Sequence, residues 1–177
     1  MVEFALIAPL FFFVLLGTVD GGLLLYSKNS IDHSADVGFT SLAAFGNCSG
    51  GSQCTGSDAD LMSLGRMRTA GLGSPALAKV DSITIALMTQ HADGSITPAV
   101  SGDPEYAQEC TADPCANQYN LDGSGVYKHW TIGTRSVTNG SSDFAKLEIK
   151  YTYAFFAISQ PTISISCTKV FRLEPQT

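Results

Sequence analysis

The sequence predicts an α+β fold in which a long hydrophobic N-terminal helix packs on a small antiparallel β-sheet domain. Three observations carry this expectation. From Phe4 to Leu25 the chain is apolar, and its only ionisable side chain is Asp20. After Tyr26, apolar residues recur at helical spacings (Ile31, Ala35, Phe39, Leu42, Phe45) until Gly46 gives a stop. Near the other end, residues 144–157 and 162–173 read as two strong strands. There Lys146, Glu148 and Lys150 alternate with Leu147, Ile149 and Tyr151, the sign of one wet face and one buried face.

The N-terminal run is long enough to cross a bilayer, since about 20 apolar helical residues span roughly 30 Å of hydrocarbon. It does not follow the secretory signal pattern: no basic region precedes it, and no small-residue cleavage site follows. It is therefore expected to stay attached, buried in lipid or in a bundle of identical helices. Carboxylates at the ends of such a run are costly without partners. Glu3 has two readings. It sits in the headgroup region aided by the helix dipole, or it pairs with the amino terminus of a neighbouring subunit and fixes the stagger between helices. Asp20 is expected to find a cation in a bundle, such as a neighbour's Lys28. Gly17, Gly21 and Gly22 weaken a lone helix but permit close backbone approach. Pro9 removes one backbone hydrogen bond.

The segment Val2-Glu3-Phe4-Ala5-Leu6-Ile7-Ala8-Pro9-Leu10, the Phe/Leu run, and Gly17-Thr18-Val19-Asp20-Gly21-Gly22 resemble the start of a TadE-like pilin, from the tight-adherence branch of the type IV pilin superfamily. The resemblance covers the first 30 residues well and the last 30 loosely. It implies a type IV pilin-like fold and a structural role without enzymatic activity. The subunit would wait in the cytoplasmic membrane, be processed by a prepilin peptidase, and enter a surface-attachment filament through pilus assembly machinery. It also implies assembly roles for Glu3, Phe4, Pro9, Gly17, Asp20, Gly21 and Gly22, with Glu3 facing a neighbour's amino terminus. One departure stands out. The family's glutamate is fifth after the peptidase cut, whereas here it is third. Either two residues precede Met1 in the mature chain or the cut falls elsewhere. A minor pilin, or an anchored exported domain that binds a partner without polymerising, is the alternative.

At 177 residues the chain suits one domain plus a helix. Residues 1–45 are expected to serve as anchor and filament core, and residues 46–177 as an exported β-rich domain. A net charge of −6 argues against nucleic acid as a partner. Residues 46–60 read as a Gly/Ser loop and 60–70 as a short helix. Residues 80–88 and 95–100 read as a hairpin, 101–125 as a long loop, and 126–137 as a strand. An exported domain retains disulfides. Cys48 with Cys54, and Cys110 with Cys115, each close a small loop and are paired on that ground, although four cysteines allow three connectivities. Cys167 falls in a strand and is expected to be a buried free thiol.

Catalytic patterns are absent. His33, His91 and His129 lie in separate segments without a second ligand at useful spacing, so neither a metal nor a cofactor is expected. Asp103, Glu105, Glu109 and Asp113 lack the spacing of a calcium loop and read as a solvated acidic loop. Asp122-Gly-Ser-Gly-Val is a turn and not a nucleophile elbow. Asn47 and Asn139 sit in Asn-x-Ser sequons, which marks them as possible glycosylation positions.

Overall fold

The computed structural model describes residues 2–48, 58–74, 77–136, 143–156 and 162–174, with side chains from Ile7 onward. Helix α1 (Val2–Phe45) runs unbroken through Pro9. Helix α2 (Ala59–Thr69) follows, then strands β1 (Ala78–Gln90) and β2 (Ile96–Pro98). A short helix α3 (Pro104–Glu109) precedes strands β3 (Ala116–Tyr119) and β4 (Gly125–Lys128), a 3-10 turn (Ile132–Thr134), and strands β5 (Phe144–Ala154) and β6 (Thr162–Arg172). The sheet is antiparallel in the order β4-β3-β1-β5-β6, with β2 pairing β1 beside β3. This is the α+β architecture expected from the sequence.

β1 is the central strand and shows how register sets the core. Its pairing with β5 slips between Val80 and Ser82. Before that bulge the buried residues are Ala78 and Val80. After it the most deeply buried are Ile83, Ile85 and Leu87, with Ala86 and Met88 also covered on the opposite face and Thr89 buried as well. One extra residue inverts the alternation, so both stretches face the same layer. The displaced Asp81 accepts a hydrogen bond from Thr152 Oγ1 at 2.6 Å. On β5 the alternation is clean. Ala145, Leu147, Ile149, Tyr151 and Tyr153 are buried, while Lys146, Glu148 and Lys150 form a chain of ion pairs on the other face.

Helix α1 packs on this layer over its second half only. Its buried positions are Asp20, Ser27, Ile31, Ser34, Ala35, Gly38, Ser41 and Leu42. Their three- and four-residue spacing makes one stripe. Most are small, so neighbours approach closely. A Cβ on Gly38 would overlap the sulfur of Met67 on α2, and one on Gly46 would lie 2.5 Å from Leu173. Ser63 Oγ donates to the Gly38 carbonyl at 3.0 Å across the same contact. Phe39 meets Phe171 edge to face, with centroids 5.0 Å apart.

Two segments depart from the sequence reading. Residues 101–125, read as a loop, contain α3 and β3, and β3 pairs directly with the central strand. The strand read over 126–137 stops at Lys128 and gives way to the 3-10 turn. Asn117 and Arg135 turn inward to a buried carboxylate on α2, while the Trp130 side chain bonds Glu109 at the end of α3.

Candidate functional site: the exposed half of the N-terminal helix

From Ile7 to Val19, no side chain of α1 is buried. Phe13 is 75% exposed, and Leu10, Val14, Phe11 and Phe12 each exceed half exposure. The apolar side chains point all round the helix, so no stripe exists for one partner face. Thr18 turns its hydroxyl back to the Val14 carbonyl at 2.8 Å, which satisfies it within the helix. Such a surface suits lipid or a surrounding bundle of helices, and is costly in water. The helix is long and apolar enough to cross a membrane.

The sequence-selected residues distribute unevenly over this helix. Glu3 and Phe4 lie in its first turn, and their side chains fall outside the described residues. Pro9 is exposed within the helix. Gly17, Gly21 and Gly22 have open space where a Cβ would stand, so packing within the chain does not require glycine there.

Asp20, matched from the sequence to a cation on a neighbouring helix, already has a partner within its own chain: it is only 5% exposed, and its Oδ1 accepts a hydrogen bond from the backbone N–H of Phe156 at 2.8 Å. Tyr153 Oη donates to the Asp20 backbone carbonyl at 3.3 Å. Asp20 therefore latches the helix to the end of β5, and an acidic residue near the lipid boundary does not by itself demand a bundle. Lys28 is exposed.

A second polar centre, unseen in the sequence, sits at the far end of the packed half. Asp60 on α2 is fully buried and takes a bidentate pair from Arg135, at 2.6 and 3.0 Å. Asn117 Nδ2 and Tyr119 Oη donate to the same carboxylate at 2.8 and 2.9 Å. Arg135 also donates to the Gly46 carbonyl at 3.0 Å and stacks 4.1 Å over the Trp130 ring. Burial pushes the Asp60 pKa up, but the Arg135 charge and the converging hydrogen bonds more than offset this, so the net shift is downward. Close by, Glu109 accepts from Trp130 Nε1 at 2.7 Å. Burial pushes Glu109 up to about 8, aided by the neighbouring Asp143 carboxylate. Asp143 is raised too, again chiefly by burial, and the two share a hydrogen bond. A cavity of about 580 Å³ opens beside this acid pair, next to Glu105 and Arg172. The arrangement braces the fold.

Cys110 and Cys115 form a disulfide that closes the turn between α3 and β3. Cys48 is disulfide-bonded, while its expected partner Cys54 lies outside the described residues. Cys167 is a buried free thiol, pushed up to about 12 by burial and by Asp32. Asn47 is half-buried at the end of α1, and Asn139 lies outside the described residues. Among the described residues, no group of His, Cys, Asp and Glu is placed to hold a metal ion. Asp103, read as part of a solvated acidic loop, instead accepts hydrogen bonds from Thr89 Oγ1 and the Val100 N–H. His91 bonds Thr97, and His129 stacks on Tyr127.

Residues 1–38 match the family model described as TadE-like protein. The match supports a TadE-like, pilin-related protein, and with the apolar helix it fits a membrane-anchored or pilus-associated one. It suggests involvement in Tad pilus systems and association with their machinery in general. Comparison with curated proteins and with solved structures gave no match.

Proposed function

We propose that this chain is a structural pilin subunit that polymerises through α1 into an extracellular Tad-like filament used for surface attachment. The observation that carries the reading is the all-round exposure of Ile7–Val19 on a helix that matches the TadE-like family. Before assembly this half of the helix sits in the cytoplasmic membrane, with the β-sheet domain outside. On assembly it exchanges lipid for the helices of other subunits. Burial changes little in that exchange, since lipid tails are as apolar as leucine, so direction must come from polar contacts, packing detail and the assembly machinery. Glu3 is the residue proposed to contact a neighbour's amino terminus. Gly17, Gly21 and Gly22 are proposed to let helices approach, because nothing within the chain occupies the space beside them. A prepilin peptidase is the expected processing partner. The role is non-enzymatic, and the buried polar centres serve folding.

The competing reading is a minor pilin, or an anchored binding domain that does not form the bulk of a filament. The intramolecular latch at Asp20 favours neither reading, since it forms in a lone subunit. Imaging of sheared cell-surface material, with mass spectrometry of the filaments, separates them. Filaments made mostly of this chain support the major subunit. Traces of it point to a minor pilin, and filaments formed normally without it point to the anchored domain.

A further inference from the structure

The β5–β6 hairpin has two unlike ends. At the end near Phe144 and Arg172, charges are dense: Lys146, Glu148, Lys150, Lys169 and Arg172 all lie on the two strands. From Tyr151 to Thr168 the sequence holds no Asp, Glu, Lys or Arg. Burial does not explain this. Thr162, Ile163, Ser164, Ser166 and Thr168 are exposed on β6, and Phe156 is 70% exposed. β6 is also an edge strand, where charged side chains normally discourage unwanted pairing. An uncharged surface of Ser, Thr, Ile and Phe is unusual for an edge facing water.

The placement of this end relative to α1 supplies a reason. The Phe156 N–H bonds Asp20, so the hairpin end stands at the level of residue 20. The opposite end meets the close of α1, where the Glu174 N–H bonds the Ala43 carbonyl. Helix and hairpin thus run side by side, and α1 leaves the domain at Asp20. Between Glu3 and Asp20 the chain has no ionisable side chain. At 1.5 Å per residue that stretch measures about 26 Å, close to the roughly 30 Å of a hydrocarbon core. Asp20 is thereby placed at the outer boundary of the hydrocarbon, and the uncharged hairpin end with it. On α1 just beyond Asp20, Leu25 and Tyr26 are 62% and 64% exposed. Exposed Tyr and Trp at that depth are the usual membrane-interface anchors, as Tyr26 would be.

We propose that Phe156, Thr162, Ile163 and Ser164, uncharged and exposed where β5 ends and β6 begins, form a membrane-contacting foot that rests in the lipid interface of the unassembled subunit. The foot rests on the anchoring role assigned to α1 above. Its latch at Asp20 makes one rigid two-point mount from helix and hairpin. The domain's tilt on the membrane is then set by the protein, and the distal end of the sheet points away from lipid.

The test is depth-dependent fluorescence quenching. The full chain is reconstituted in phosphatidylcholine vesicles whose lipids carry bromine either near the headgroup or near the bilayer centre. Tryptophan is introduced singly as Phe156→Trp, as Phe13→Trp on the exposed helix, and as Val126→Trp on β4. All three positions are exposed, and the native Trp130 is 1% exposed and gives a common background. The expected result is loss of most of the added emission by shallow bromines for Phe156→Trp, by deep bromines for Phe13→Trp, and by neither for Val126→Trp. If Phe156→Trp behaves like Val126→Trp while Phe13→Trp is quenched, the foot is overturned and the anchor stands. If Phe13→Trp is unquenched by either lipid, the anchoring premise fails and the foot falls with it. If Phe156→Trp is unquenched in vesicles but shielded from an aqueous quencher there, a second copy of the chain covers the hairpin, and the lipid assignment is overturned.

Discussion

The two halves of α1 are one continuous helix with opposite surfaces. Ile7–Val19 exposes apolar side chains on every side. Asp20–Phe45 buries a narrow stripe rich in Ser, Ala and Gly and leaves Lys28, His33 and Asp36 outside. Both halves are helical, and apolar content alone blurs the distinction. What separates them is whether the hydrophobicity has a direction. A half with no preferred face cannot choose one partner within its own chain, so its partners lie outside it. A half with a stripe of small residues is committed to α2 and the sheet, and holds them at close range. The difference teaches that the helix has a fixed segment and a free segment, with Asp20 as the boundary between them.

The sharpest way to break this contrast is to attack the fixed segment where the domain clamps its end. Arg135 joins the Gly46 carbonyl to the buried Asp60. Arg135→Met leaves the Asp60 carboxylate buried without its counter-charge, and a loss of about 3–5 kcal/mol of domain stability is expected. Thermal unfolding in detergent micelles measures it. Leu10→Ala, on the free segment, should leave that transition in place. A comparable fall for Leu10→Ala would show that the two segments are not independent.

A pH titration separates the segments without mutation. The folded pKa of Glu109 is raised to about 8, and Asp143 is raised as well, so the folded state holds protons that the unfolded chain releases. Their stabilising contribution is fully present below the ordinary carboxylate range and is lost as pH rises toward about 8. Asp60 has the opposite sign: its lowered pKa stabilises the fold above the ordinary range and fails only in stronger acid. Domain stability should therefore fall between pH about 5 and about 9, and Glu109→Gln should flatten that slope. No titratable group lies between Ile7 and Val19, so membrane association should not follow the same curve. A rising melting temperature over this window would reject the assignment.

Smaller effects are expected where backbone meets side chain. Gly38→Val forces a branched side chain against Met67, with an expected cost of about 1–3 kcal/mol from overpacking. Asp20→Ala removes the side-chain acceptor of the Phe156 N–H, with an expected cost of about 1–3 kcal/mol. Its more specific readout is faster amide exchange at Phe156, by hydrogen-exchange mass spectrometry, with the Asp60 centre unaffected. Unchanged exchange at Phe156 would mean that Asp20 does not latch the hairpin.

How much of this was legible in the sequence depended on whether each signal was local. The free segment announces itself because no charge interrupts it for many residues. The fixed segment shows through Ile31, Ala35, Phe39 and Leu42 at helical spacing, and β5 through its strict alternation. β3 did not show, because Ala116-Asn117-Gln118-Tyr119 looks polar until Asp60 and Trp130 satisfy Asn117 from elsewhere in the chain. α3 is a single short stretch with no side-chain cap on Asp103. The Arg135–Asp60 pair joins residues far apart in sequence and leaves no spacing to read. Asp20 was visible as an anomaly, but its partner is a backbone N–H on another element, which no side-chain pattern reports.

The finest distinction concerns the glycines at the join. Gly21 and Gly22 follow Asp20 on the fixed side, yet nothing lies within contact of the Cβ either would carry. In the isolated subunit, Gly22→Ala should therefore be harmless or stabilising, by up to about 1 kcal/mol from helix propensity. In a filament whose helices approach at this level, the same methyl group would stand between backbones. The two outcomes have opposite signs, so the variant distinguishes a glycine kept for the chain's own fold from one kept for its neighbours. A melting temperature raised in micelles together with a lower yield of sheared filaments is the result expected here. Raised stability with unchanged filament yield would remove Gly22 from the assembly surface and leave helix contact to the free segment alone.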